Sequence, residues 1–291
     1  MEFAEYQKAT RATDQRTGVE LEDVAVHLLG LVGEAGSVAA EYKKKLRDQD
    51  AHPMWKARIR EEMGDVLWYL SALANKLDLT LEDIARSNLE KTRNRWLPTD
   101  SDQLDLGYPE HEQLPRSGTY EFRTFVNTDD RAAVQVYLDG AKAGNVLTDS
   151  AFADDGYRFH DVFHLAYATV LGWSPVTRAL LKRKRRSNPA VDENEDGGRA
   201  IVFEEGVAAI AFAYAASHNN LEGVERVDHD LLEQIRRVVA LTEVGVRSAA
   251  DWEMAILRGF AMFRQHVAND GGSVTFHAST RSLTYAPPVP R

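Results

Sequence analysis

Between Leu21 and Trp96 the chain carries three stretches of helical periodicity separated by short breaks, and no other feature restricts its fold as much. In the first stretch Val24, Leu28, Leu31, Val32, Ala35 and Val38 recur at the three-and-four spacing of one helix face, which predicts a helix from Leu21 to Leu46. The break RDQDAHP follows. Pro53 has no amide hydrogen and drives His52 away from helical geometry, so the helix cannot run through it. Periodicity resumes from Trp55 to Leu77, with Ile59, Met63, Val66, Leu67, Leu70, Leu73 and Ala74 expected inside. Thr80 can then cap a third helix, LEDIARSNLEKTRNRW, with Asp83 three residues on as the acidic member of a capping box. That helix has to end before Pro98.

The character changes after Leu97. PTDSDQLDLGYPEHEQLPRSG is rich in proline and poor in periodicity, so residues 99–118 are expected to link an all-α first domain (1–98) to a second domain (119–291). Two domains also suit a length of 291 residues. TYEFRTFV (119–126) and AAVQVYLDG (132–140) alternate like the strands of a hairpin, and GGSVTFHA with RSLTYAP reads as a second one. Helical patterns fill the space between them: GYRFHDVFHLAYATVL, PVTRALLKRKRR, GRAIVFEEGVAAIAFAYAASH, DHDLLEQIRRVVALTEV and SAADWEMAILRGFAMFRQHV. The expected fold class is therefore mainly α: a helical bundle, then a mostly helical domain with short β-hairpins.

The absence of cysteine excludes disulfides, thiolate metal sites and a cysteine nucleophile. A net charge of −10 argues against broad nucleic-acid binding, which needs a basic face to displace counterions. There is no basic-then-apolar leader and no run approaching the roughly 20 apolar residues of a bilayer span, so a cytoplasmic protein is expected.

Acidic side chains are the first chemical signal. In EEMGDVLWYL, Glu62 and Asp65 stand three residues apart, close enough on a helix to reach one cation, with Glu61 beside them. Carboxylate oxygens suit hard ions such as Mg2+ or Mn2+. The preceding helix offers Glu34 and Glu41 in GEAGSVAAEYKKKL, roughly 10 Å apart along the axis and so too far to share an ion directly, with Ser37 between them. The alternative for Glu41 is an ordinary helical charge pair with Lys44 or Lys45. Trp55 and Trp68 fit either the lining of a ligand pocket or the core.

GLVGEAG, followed by EEMGDVLWYLSALANKLDLTLEDIARSNLEKTRNRW, resembles the MazG family of all-α nucleoside triphosphate pyrophosphohydrolases over residues 25–96. That family binds magnesium through a Glu-x-x-Glu pair followed by Glu-x-x-Asp. The resemblance puts Glu34 at the first position, Glu62 at the third and Asp65 at the fourth, with Asn88, Lys91 and Arg95 near the phosphates. The second position falls on Ser37, a poor ligand for a divalent cation. Glu41 then stands as a replacement acid, and Glu61 or Glu41 as the group that activates water. The resemblance implies hydrolysis of a (deoxy)nucleoside triphosphate to monophosphate and pyrophosphate, with Mg2+ as cofactor, in a homodimer or homotetramer. Binding of nucleotide without turnover is the alternative that Ser37 keeps open.

The second half resembles C-terminal extensions of some MazG-like proteins, which supplies no role. Its own signal is RFHDVFHLAY, where His160 and His164 stand one turn apart with Asp161 beside the first. Glu204, Glu205 and the DHD of Asp228, His229 and Asp230 are further candidate partners. Two readings stand together: a metal hydrolase centre, or a histidine packed against Phe159, Phe163 and Tyr167 and hydrogen-bonded to Glu204 or Glu205. The basic run KRKRR (182–186) fits a helix C-terminus or a polyanion site.

Overall fold

The computed structural model describes residues 1–100 and 103–289. Ser101 and Asp102, in the expected linker, and Pro290 and Arg291, at the end of the expected second domain, lie outside the described residues. The chain divides into two compact units, Met1–Thr92 and Arg93–Arg291.

The first unit contains α1 (Phe3–Thr13), α2 (Leu21–Asp48), α3 (Trp55–Lys76) and the greater part of α4 (Leu81–Trp96). The three expected helices are present as α2, α3 and α4, and α2 packs along α3. Thr80 caps α4: its Oγ1 accepts from the Asp83 amide at 3.1 Å and donates to the Asp83 carboxylate at 2.7 Å. The sequence did not announce α1, because its buried face is made of the polar residues Gln7 and Thr10. Gln7 has a local task. Its amide donates to the Leu79 carbonyl at 2.7 Å and accepts from the Leu81 amide at 3.0 Å, which closes the α3–α4 turn. A buried ionic group secures the loop before α2: His27 bonds Asp14 at 3.1 Å, and Lys76 lies 3.4 Å from the same carboxylate while donating to the carbonyls of Arg16 and Gly18.

The apolar stripes are less buried than the periodicity suggests. Leu73 and Ala74 are core, but Leu28, Val32 and Met63 are exposed, as are Leu29, Leu46 and Leu89. A helix pair buries one stripe per helix and leaves any second stripe uncovered. The segment Leu21–Ala51 meets the length and composition of a bilayer span, with a mean hydropathy of 1.3 over a window only 6 % buried, contrary to the expectation that no segment would.

In the second unit, β1 (Ser117–Val126), β2 (Ala132–Leu138) and β3 (Ala141–Leu147) precede α5 (Asp161–Leu171), α6 (Pro175–Leu180), α7 (Pro189–Asn194), α8 (Gly198–Ala216), α9 (His229–Val238) and α10 (Ala249–Asn269); β4 (Gly272–His277) and β5 (Ser282–Ala286) follow. The two expected hairpins are parts of one antiparallel sheet in the order β3-β2-β1-β4-β5. β1 pairs with β4, Tyr120 opposite Val274, so the far end of the chain returns to the middle of the sheet. Tyr120, Phe122, Val134, Val136, Val274 and Phe276 supply its buried face. Every residue of α5 is buried, as befits a central core helix, and it packs on α10. At Gly259 an added Cβ would meet the Ala166 Cβ at 3.2 Å, so glycine lets these two helices approach.

The described part of the expected linker is built into this unit. Asp105 is 0 % exposed; it accepts from the Leu114 amide at 2.8 Å and from Arg178 at 2.6 Å, and pairs with Arg116. Thr99 bonds the buried Asp251. Buried carboxylates thus tie down a segment whose composition reads as loop. The basic run is likewise absorbed: Arg185 is buried against Asp196 and Glu243, and Arg183 donates to the carbonyls of Glu110 and Gln113.

Candidate active site

α2 and α3 bring Glu34, Glu62 and Asp65 together: one carboxylate oxygen from each lies within 4.8 Å of the others. Glu34 and Glu62 are half-buried and Asp65 is exposed. Among the described residues none of the three forms an ion pair, so no lysine or arginine neutralises the group. Three uncompensated carboxylates repel one another unless a cation intervenes, and an all-oxygen donor set fits a hard divalent ion.

A second cluster lies in the other unit. The ligand atoms of His160, Asp161 and His164 also fall within 4.8 Å of one another. The His160 Nδ1 faces the Tyr157 carbonyl at 2.9 Å, its ring stacks on Tyr157 with centroids 4.5 Å apart, and its Nε2 is 3.5 Å from Asp161. The His164 Nδ1 bonds Glu204 at 2.8 Å, and its Nε2 is 3.5 Å from Glu205. Glu204 is fully buried and also accepts from the Ser174 hydroxyl at 2.6 Å and the Val176 amide at 2.8 Å, so it caps α6 as well. Burial opposes a charge on His164, but Glu204 and Glu205 outweigh it and push its pKa up to about 10. Burial also raises the Asp161 carboxyl above its ordinary range. Asp228, His229 and Asp230 do not join this cluster. They start α9, where the Asp228 carboxylate accepts from the Asp230 amide.

The MazG nucleotide pyrophosphohydrolase domain matches residues 23–96, and the MazG C-terminal domain matches residues 99–289. The chain belongs to the MazG family. Its first domain is a hydrolase acting on nucleoside triphosphates. Over 77 residues, 26 % of this chain and 68 % of the relative, it is 42 % identical to the Gene 37 protein of Mycobacterium phage L5. No solved structure matches it.

Within the MazG domain the other expected site residues separate. Glu41 stands apart from the three acids: its carboxylate pairs with Lys44 and lies 3.1 Å from His52. The Lys44 hydrogen bond holds it below the usual carboxylate range. It is therefore a committed ion-pair member and not a free replacement acid. Glu61 is exposed, 3.4 Å from Arg58. Ser37 is half-buried on the same helix as Glu34. Asn88, Lys91 and Arg95 are exposed along α4, and among the described residues no hydrogen bond or ion pair joins them to the acids. The Arg95 guanidinium lies over the Trp96 ring at 4.8 Å. Trp68 stacks on His27 and donates to Thr13 at 2.8 Å, and Trp55 meets Tyr42 edge-on, so both hold helices together. α1, which the sequence did not announce, runs near this site through Tyr6. Burial and then the Asp65 charge raise its hydroxyl pKa, which puts Asp65 within electrostatic reach of α1.

Proposed function

We propose that the first unit hydrolyses a nucleoside triphosphate between the α and β phosphates, releasing a nucleoside monophosphate and pyrophosphate. One observation carries the proposal: the mutual approach of Glu34, Glu62 and Asp65 to within 4.8 Å. These three residues would hold Mg2+, with Mn2+ as a substitute of similar chemistry, and the ion would neutralise phosphate oxygens and polarise phosphorus. The protein side chains do the rest. Asn88 and Lys91 would bind and orient the phosphates, and the Lys91 ammonium would stabilise charge that grows on the leaving pyrophosphate. Glu61, one residue from a ligand and free of any buried pairing, is the carboxylate left to orient the attacking water.

The test is release of pyrophosphate from a panel of ribo- and deoxynucleoside triphosphates with magnesium. Activity is expected, and Glu62→Gln should reduce it at least about 100-fold with the helical circular dichroism unchanged. No release from the folded wild-type protein with any triphosphate would overturn the proposal. A second reading, triphosphate binding without turnover, is favoured by Ser37 at a position where the family carries an acid and by the commitment of Glu41 to Lys44 and His52. Calorimetric binding with no pyrophosphate would select it.

A further inference from the structure

The His160, Asp161 and His164 group has the construction of a ligand set, and the hydrolysis proposed for the first unit makes no use of it. Each imidazole has one nitrogen already fixed. The His160 Nδ1 can donate only to the Tyr157 carbonyl it faces, and the stacked Tyr157 ring sets the plane of the imidazole. The His164 Nδ1 is held by Glu204, itself locked by Ser174 and the Val176 amide. A carboxylate or carbonyl behind an imidazole fixes its tautomer and orientation and presents the other nitrogen as a ligand. The decisive atom is the His164 Nε2: the residue is 1 % exposed, yet this nitrogen has no hydrogen-bond partner. It turns toward Glu205 at 3.5 Å, too long for a good hydrogen bond and short enough for both groups to reach one ion. Consecutive residues on α8 divide the work, with Glu204 pointing inward behind the histidine and Glu205 at the rim.

We propose that the second unit binds one divalent transition-metal ion through His160, Asp161 and His164, with Glu205 as the fourth ligand. Two imidazoles with carboxylates select ions such as Zn2+, Mn2+ or Fe2+ over the magnesium suited to the all-carboxylate group of the first unit. The centre is not a sealed structural one. The Glu205 side chain is 42 % exposed and the His160 side chain 14 %, which gives water or an oxyanion a way to the metal. The occupant that competes with the metal is a proton on the His164 Nε2, making a buried imidazolium between Glu204 and Glu205, and the experiment separates the two.

Chelator-stripped full-length protein carrying Glu34→Gln and Glu62→Gln, which silence the carboxylates of the first unit, is titrated with Co2+ and then Zn2+. The readouts are the visible Co2+ absorption and the metal-to-protein ratio after gel filtration. The expected result is one equivalent of Co2+ with a visible band, displaced by Zn2+. His160→Gln should weaken it at least about 100-fold, and Glu205→Gln at least about 10-fold. Both positions are at the open side, so these variants should keep the wild-type dichroism; if His160→Gln unfolds, Glu205→Gln decides alone. No saturable Co2+ binding, or binding that Glu205→Gln leaves unchanged, would overturn the proposal and leave the imidazolium. Neither outcome depends on triphosphate hydrolysis, so failure here leaves the function of the first unit standing.

Discussion

Ser37 and His266 show how single side chains set behaviour that the fold alone does not. Ser37 stands one helical turn from Glu34 on α2, where its hydroxyl adds no charge to a site of three acids. Ser37→Glu should restore that charge. The magnesium concentration giving half-maximal pyrophosphate release should fall about tenfold, because added ligand charge tightens divalent binding. An unchanged magnesium dependence would mean that this position faces away from the ion. Glu41→Ala makes the contrast, since a carboxylate already engaged by Lys44 and His52 should be removable with less than a twofold change in turnover. His266 concerns stability. It is enclosed by Phe122, Phe159 and Tyr285, and burial lowers its pKa to about 4. The unfolded chain takes up a proton near the ordinary value of 6.5 and the folded one does not, so stability falls as pH drops from 6.5 toward 4. The loss should reach about 3 kcal/mol, and His266→Phe should flatten that acid limb in urea melts at stepped pH.

Elements were legible wherever apolar period or a cap marks them, and illegible wherever polar groups carry the burial. Thr80 with Asp83, and the stripes of α2 and α3, announced their helices. Gln7 and Thr10 hid α1, and the ion pairs of Asp105 hid the ordered character of residues 103–118. Nor could alternation alone reveal that β1 takes β4 as a neighbour, because pairing across that sequence distance depends on the whole unit. Of the acidic cluster, Glu34, Glu62 and Asp65 were readable from spacing and resemblance, whereas the pairing of Glu41 with His52 depends on the α2–α3 loop folding back on α2 and was not. The expected linker yields a direct test. Asp105→Asn leaves Arg178, 1 % exposed, without its closest carboxylate, at 2.6 Å. Breaking a buried pair on one side costs about 3–5 kcal/mol, so the urea midpoint of the second unit should fall accordingly. A passive linker would tolerate the change within about 0.5 kcal/mol.

For the molecule as a whole, the uncovered apolar surface of the first unit poses the open question of its cover. Leu29 is 73 % exposed and Val32 71 %, on a helix whose apolar window is only 6 % buried. Apolar area of this kind is stabilised by removal from water at about 25 cal/mol per Å2, and several exposed apolar side chains on one helix exceed what isolated surface leucines explain. A second copy of the chain is the cover that the resemblance implies. A lipid surface is a poorer one, since Glu34 and Glu41 sit on the same helix and ionised carboxylates in hydrocarbon are costly. The wild-type protein should therefore sediment as a dimer or tetramer of the 32.6 kDa chain. Leu29→Lys with Val32→Lys should shift it to monomer without loss of helical dichroism, because neither side chain is buried within its own unit. If paired protomers complete each site, pyrophosphate release should fall at least tenfold, from a loss of only about 1.4 kcal/mol of transition-state stabilisation. A wild-type monomer that floats with liposomes would assign the face to membrane instead.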